Sequence, residues 1–267
     1  MAEKGKNRYT RLIEDIFRRH YKEGASSIEF DRSELSEAAR RLKIKLPKNL
    51  GDVLYTFRYR ATLPSSIIAK TPPGKMWILR PAGRGRYRLE LTTAASISPS
   101  PMLIETKVPD ATPGVITKYA QSDEQALLAI IRYNRLVDIF TGLACYSLQN
   151  HLRTTVPGLG QVETDEIYIG IDKRGVHYVI PVQAKGRSEK IGIVQIEQDM
   201  ALCAARFPDL VCRSVAAQFM KGDLIALFEL ARSEEGVAIS SERHYKLVRP
   251  EELSSEELRA YQQRPVE

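Results

Sequence analysis

Apolar residues recur at helical spacing early in the chain and at strand spacing in its second half. In RYTRLIEDIFRRHYKEG, the positions Leu12, Ile13, Ile16 and Phe17 fall on one helical face, and Gly24 closes the run. A second helix is predicted over DRSELSEAARRLKI, where Asp31 and Glu34 have capping-box spacing and Leu35, Ala38, Ala39 and Leu42 face inward. A third starts after Pro47 in LPKNLGDVLYTFRYR and buries Leu50, Val53, Leu54 and Phe57. KMWILR, PAGRG and RYRLEL then read as strand, turn and strand.

Further on, DEQALLAIIRYNRLVDIFTGLACYSLQNHL predicts two helices broken near Gly142, leading through VPGLGQ into the alternating run VETDEIYIGID. The polar turn DKRG, Asp172 to Gly175, joins that run to HYVIPVQAKG as a hairpin. A helix follows in GIVQIEQDMALCAARF, and DLVCRSVAAQ, DLIALFELA and RHYKLV read as the strands that complete a mixed sheet. Between the halves, a stretch rich in Ser, Thr, Pro and Ala marks a boundary. The expected organisation is residues 1–92 as one domain, 93–120 as a linker and 121–267 as a second domain.

Charge changes the picture of the first domain. Met1 to Glu90 holds 21 lysines and arginines against 10 acids, whereas the remainder holds 19 against 23. The basic excess therefore belongs to the N-terminal third, where it suits a polyanionic partner, since each neutralised phosphate releases counterions. Three cysteines without paired spacing and four scattered histidines argue against a zinc or histidine-based metal site. The longest apolar run, Ala126 to Ile131, is too short to cross a bilayer, and the start MAEKGKNRYT lacks a signal-peptide apolar region, so a cytoplasmic location is expected.

The candidate chemistry lies where the hairpin ends. Gln183 and Lys185 share one face of their strand, and Glu163 and Asp165 share one face of the preceding strand. Pairing across DKRG brings the entry of the first strand beside the exit of the second, so two acids, an amide and an amine converge. Carboxylate and carbonyl oxygens suit Mg²⁺, and a lysine suits the negative charge that grows on a phosphate during hydrolysis. Charged residues at strand ends also occur simply as solvated edges.

The acid followed by Q-x-K, Gly186 and a helix resembles the PD-(D/E)XK nuclease superfamily, specifically its restriction-endonuclease-like members. The resemblance implies that Asp165 is the metal-binding acid, Gln183 the second ligand and Lys185 the catalytic lysine. Two departures stand out: Thr164 occupies the place of the family's proline, and Gln183 replaces the commoner Glu. Glu163 is expected to restore the missing negative charge as a further metal ligand. Gln195 or Gln198, on the following helix, is a further candidate to approach the site. The family's first core strand is not evident before Glu163. The cofactor implied is Mg²⁺, with Mn²⁺ as a substitute.

Three helices followed by a basic hairpin resemble a winged helix-turn-helix. In that arrangement the third helix enters the major groove with Lys48, Asn49, Asp52, Tyr55, Thr56 and Tyr59 exposed, while Arg84, Arg86 and Arg88 on the wing meet phosphates or the minor groove. The same elements also suit protein contacts or a structural cap with a solvated basic face. Arg132, Asn134 and Arg135 are further candidates for backbone contact.

The expected fold is thus α/β, with an α+β mixed sheet in a restriction-endonuclease-like core and a smaller winged helix-turn-helix domain. The function implied is Mg²⁺-dependent, sequence-specific cleavage of double-stranded DNA by a type II restriction enzyme, acting as a homodimer with a companion DNA methyltransferase. Two rivals remain open: a repair or defence nuclease directed by DNA structure or modification, and a non-catalytic winged-helix regulator, for which the neutral Gln183 argues.

Overall fold

The computed structural model describes residues 7–46, 48–93, 96–101, 103–119, 124–187, 189–233 and 236–264. The chain divides into two compact units: the described residues of Met1–Ile97, Arg153–Val162 and Gly192–Ala205, and those of Ser98–Leu152, Glu163–Ile191 and Arg206–Glu267.

The first unit opens with α1 (Arg8–His20), whose Leu12, Ile13, Ile16 and Phe17 are all buried, and Asn7 caps it by accepting from the Tyr9 N–H at 3.2 Å. The helix stops at His20, ahead of Gly24, because Tyr21 turns extended. A strand that the sequence reading did not anticipate follows, β1 (Ser27–Asp31), with Ile28 and Phe30 buried in strict alternation. Next is α2 (Ser33–Leu42), where the Glu34 carboxylate accepts from the Asp31 N–H at 3.0 Å, one half of the expected capping box.

The third helix is shorter than its pattern suggests. α3 (Gly51–Tyr55) begins where the Asn49 side chain accepts from the Gly51 N–H at 2.9 Å, and Thr56–Arg60 continues as a π turn. Pro47, expected at the start of this helix, lies outside the described residues. A short α4 (Ser65–Ile68) leads to β2 (Met76–Pro81) and β3 (Arg86–Thr92), which pair antiparallel with Leu79 opposite Leu89. β1 pairs on the other side of β3, so the sheet order is β1-β3-β2. Trp77 meets Phe17 edge to face at 5.3 Å, joining sheet to helix in a core that also takes in Leu12, Leu35, Leu54 and Leu89.

After β4 (Ser96–Ile97) come β5 (Glu105–Pro109) and α5 (Gly114–Tyr119), so the stretch read as a linker contributes both a strand and a helix. Then α6 (Glu124–Tyr133) and α7 (Leu136–Thr141) precede a long hairpin of β6 (Ala144–Val156) and β7 (Gly160–Ile171). Residues 144–152, expected to continue a helix, are strand. Gly142 at φ 69° ends α7, and Asp138 takes the Cys145 N–H at 2.9 Å, so the chain leaves the helix already extended. The apolar residues Leu143, Leu148 and Leu152 follow on from the helical run, although Leu148 is exposed.

β8 (His177–Lys185) returns beside β7 across the expected turn, with Ile171 opposite His177 and Glu166 opposite Val182. After β9 (Ile191–Gly192) and α8 (Ile193–Arg206) come β10 (Val211–Cys212), β11 (Ser214–Phe219), β12 (Leu224–Ser233), β13 (Gly236–Val248) and α9 (Ser255–Gln262). Among the described residues the large sheet has the order β5-β13-β12-β11-β8-β7-β6, with β10 also on β8. It is mixed: β8 runs parallel to β11 and antiparallel to β7. The fold is therefore α/β with a large mixed sheet. Leu127, Leu128 and Ile131 of α6 pack on one sheet face with Ile180, Val182, Ala184, Val215 and Ala217. Among the described residues no helix is long and apolar enough to cross a membrane.

Candidate functional site

Because Glu166 lies opposite Val182, the next pair along the hairpin sets Asp165 opposite Gln183, with both side chains on the face opposite to Val182. Asp165 Oδ2 accepts from the Ala184 N–H at 2.9 Å, binding the acid to the Q-x-K strand directly. Lys185, two residues beyond Gln183, is buried at 8% exposure, and its ammonium pairs with the Glu124 carboxylate at the start of α6. The structure thus brings Asp165, Gln183 and Lys185 together and adds Glu124.

Gln183 is the unusual member. It is 1% exposed, and neither its Nε2 nor its Oε1 has a hydrogen-bond partner among the described residues. A buried amide left without partners costs roughly 1–3 kcal/mol, so its place in the sheet calls for something that binds it. Asp165 points the same way: burial pushes its carboxyl up to about 6, although the Ala184 N–H and the Lys185 charge pull it down. Burial works against the Lys185 ammonium too, but its hydrogen bond and charge pairing with Glu124 hold its pKa above the ordinary value.

Glu163 takes a different place. It is exposed and lies 3.6 Å from His151 on β6, a residue in the left-handed region at φ 48°. Gln198, offered as an approaching glutamine, accepts the Tyr59 hydroxyl at 2.5 Å. Two residues escaped the sequence reading. Glu124 gave no signal, since an acid in a first helical turn is ordinary. Gln218 on β11 gave one: like Gln183, it follows an apolar run. It sits opposite Lys185, and its Nε2 donates to the Glu189 carbonyl at 2.5 Å, fixing the loop after the lysine. Among the described residues no three His, Cys, Asp or Glu side chains are gathered as a metal cluster. No family model matches the chain, and neither a curated protein nor a solved structure does.

The residues expected to meet DNA divide into two groups. Lys48, Asn49, Asp52 and Tyr55 are exposed around α3, although Asn49 also donates to Asp52 at 2.8 Å. Thr56 donates its hydroxyl to the Asp52 carbonyl at 2.7 Å. Tyr59 is turned away from solvent, because the bond from the Ala61 N–H to the Thr56 carbonyl widens the turn and shifts the helical face. Burial pushes its phenol up to about 12. On the β2–β3 hairpin Arg84 and Arg86 are exposed, whereas Arg88 holds Glu29 at 2.5 Å. Tyr59 is thus bonded within the protein, and the Arg88 ion pair leaves its side chain 41% exposed. Arg132 is bound to Glu166 at 2.9 Å, Asn134 donates to Thr112 at 2.8 Å, and Arg135 pairs with Asp138.

Proposed function

We propose that the chain is a Mg²⁺-dependent endonuclease that cleaves double-stranded DNA at a specific sequence, as a type II restriction enzyme. The observation that carries this reading is the buried, unpartnered Gln183 amide set beside Asp165 and Lys185. The residues fit a hard cation: Mg²⁺ takes oxygen ligands, keeps several waters and needs only one or two carboxylates, so Asp165 and the Gln183 Oε1 would hold it. Bound there, Mg²⁺ would polarise the phosphate and lower the pKa of a water.

The chain's own residues supply the remainder. Lys185, whose ammonium Glu124 favours, would stabilise the charge growing on the phosphate or help to deprotonate the water. Glu124 and Gln218 orient it and the loop that follows it. β6 supplies a strand before the acidic one, which the nuclease resemblance requires. The order α1-β1-α2-α3-α4-β2-β3 with sheet β1-β3-β2 supports a winged helix with one added short helix, α4, that carries Arg84 and Arg86 at its hairpin turn.

Purified protein incubated with long unmodified DNA and Mg²⁺ should give discrete fragments, and Lys185→Ala should give none. Fragments produced equally by Lys185→Ala would remove the catalytic assignment. A smear would favour a structure-directed repair or defence nuclease. Intact DNA that is nonetheless bound would favour the regulator reading, which the neutral Gln183 supports. A companion methyltransferase gene beside this one would accompany a restriction enzyme.

A further inference from the structure

We propose that the cavity between α1, the end of α2 and α4 binds a free nucleoside monophosphate whose base carries an exocyclic amine. The inference rests on the first unit alone and holds whether or not the chain cleaves DNA.

The cavity measures about 480 Å³, within the range of about 300–1,000 Å³ typical of small-molecule sites, and none of the residues expected to meet DNA lines it. One part of its lining is aromatic. Phe17 and Tyr21, four residues apart across the end of α1, stack with ring centres 4.9 Å apart and planes at 17°. Phe17 is buried and covers one face of the half-buried Tyr21 ring, so the cavity has the other face to offer. Lys70 Nζ stands 6.0 Å from the Tyr21 ring centre, the outer limit of a cation–ring contact, and so does not fill that face. Leu42 extends the apolar wall. A planar base can stack there, because every base has a π-face to present to an aromatic side chain.

The rest of the lining is charged. Arg11 and Arg18, two turns apart on α1, join Lys70 against the carboxylates of Glu14 and Asp15. Asp15 is already engaged inside the protein: it is 5% exposed and takes Arg18 at 3.0 Å and Arg41 at 2.6 Å. Burial raises its pKa, yet the bonds and charges of Arg41 and Arg18 hold the carboxyl below its ordinary value. With Asp15 countered by Arg41 from outside the lining, the three lining cations face one remaining carboxylate, an excess of two positive charges. A phosphate monoester carries roughly two negative charges at neutral pH, whereas a phosphodiester within a strand carries only about one. Glu14 accepts the Ser66 hydroxyl at 2.5 Å. A carboxylate has about four lone-pair sites, so Glu14 can also receive an exocyclic amine of the base. Ring, amine and phosphate monoester together define the ligand class.

Isothermal titration calorimetry of the full chain, without DNA or metal, tests the assignment. AMP, GMP and CMP are titrated alongside their nucleosides and inorganic phosphate. At least one nucleotide should bind with a Kd below about 100 µM, and its nucleoside and inorganic phosphate should each bind at least about tenfold more weakly, since each keeps only part of the contacts. Arg11→Glu and Lys70→Glu, both at exposed positions, should each weaken that nucleotide at least about tenfold with unchanged circular dichroism. Lys75→Glu makes the same charge change at an exposed position outside the lining and should leave the affinity within about twofold. Absence of nucleotide binding, a nucleoside or phosphate that matches the nucleotide, an affinity indifferent to either lining variant, or an equal loss in Lys75→Glu would each overturn the proposal. Binding seen only with a 5′-phosphorylated oligonucleotide would make the cavity a strand-end site and overturn it likewise.

Discussion

Asp165 and Glu166 are neighbours on β7, yet they leave opposite faces of the sheet into environments that treat charge in opposite ways. Glu166 is fully buried, and its Oε1 receives Arg132 of α6 at 2.9 Å together with the Ser147 hydroxyl. On that side the carboxylate has a cation, and the Arg132 pKa is raised by the hydrogen bond. On the other side burial pushes the Asp165 carboxyl up to about 6, and Gln183 beside it has no partner among the described residues. On the first face the buried charge is countered, although Glu166 Oε2 and the Tyr168 hydroxyl lack a partner among the described residues; on the second, both polar atoms of the Gln183 amide do. Unsatisfied capacity of this kind marks a place where stability gives way to binding.

Arg132 and Glu124 lie on the same helix, eight residues apart, a rise of about 12 Å. Their partners Glu166 and Lys185 are separated along the hairpin by roughly three residue steps, about 10 Å. The two ion pairs therefore act as rungs that fix α6 against the sheet, and the structural rung helps to place the one at the site. The largest effect is expected here: Arg132→Met should lower unfolding free energy by about 3–5 kcal/mol, because a fully buried carboxylate loses its counter-charge. Urea denaturation measures it. A loss below about 1 kcal/mol would show that Glu166 is compensated in another way and would erase the contrast between the two faces.

Much of this was legible from alternation alone. The parity of Gln183, Lys185 and Asp165 followed from period two, and DKRG fixed the hairpin. β11, β12 and β13 were also foreseen from their apolar runs. Three things were not legible, two of them because the deciding contact lies far away in sequence. β6 was read as the end of a helix because its apolar residues continue from the helical run before it, whereas Gly142 and Asp138 decide that the chain extends. β1 was missed because SIEFD is brief and only its pairing with β3 makes it a strand. Glu124 is 61 residues from its lysine, and no local pattern announces such a pair. Likewise the exposure of Tyr59 could not be judged before the π turn moved it.

The next effect separates the two faces by pH. The raised pKa of Asp165 means that the folded metal-free protein binds a proton more tightly there than the unfolded chain does. The sign follows: this stabilisation is fully present below pH 3.8, the ordinary value, and is lost as pH rises through about 6. Asp165→Asn stays neutral throughout, so relative to the wild type it should gain stability across that window, on the order of 2 kcal/mol. Thermal melts of both proteins in chelator at several pH values check it. Parallel curves would mean that the Asp165 carboxyl titrates normally and that its side of the sheet is not the strained one.

The smallest effect in energy is the most pointed one. Gln183→Leu removes an amide that finds no partner and replaces it with an apolar side chain in a fully buried position. If the site is kept for binding and not for stability, this variant should be more stable than the wild type in the absence of metal, by about 1 kcal/mol. Millimolar Mg²⁺ should raise the wild-type melting temperature through preferential binding to the folded state, and that increment should vanish in Gln183→Leu. The two observations must occur together. A variant that is less stable would mean that the Gln183 amide is already satisfied inside the protein. A stabilised variant that still responds to Mg²⁺ would place the metal on Asp165 without Gln183. Only stability gained together with a metal response lost identifies the glutamine as an oxygen ligand whose unused capacity is the cost of the site.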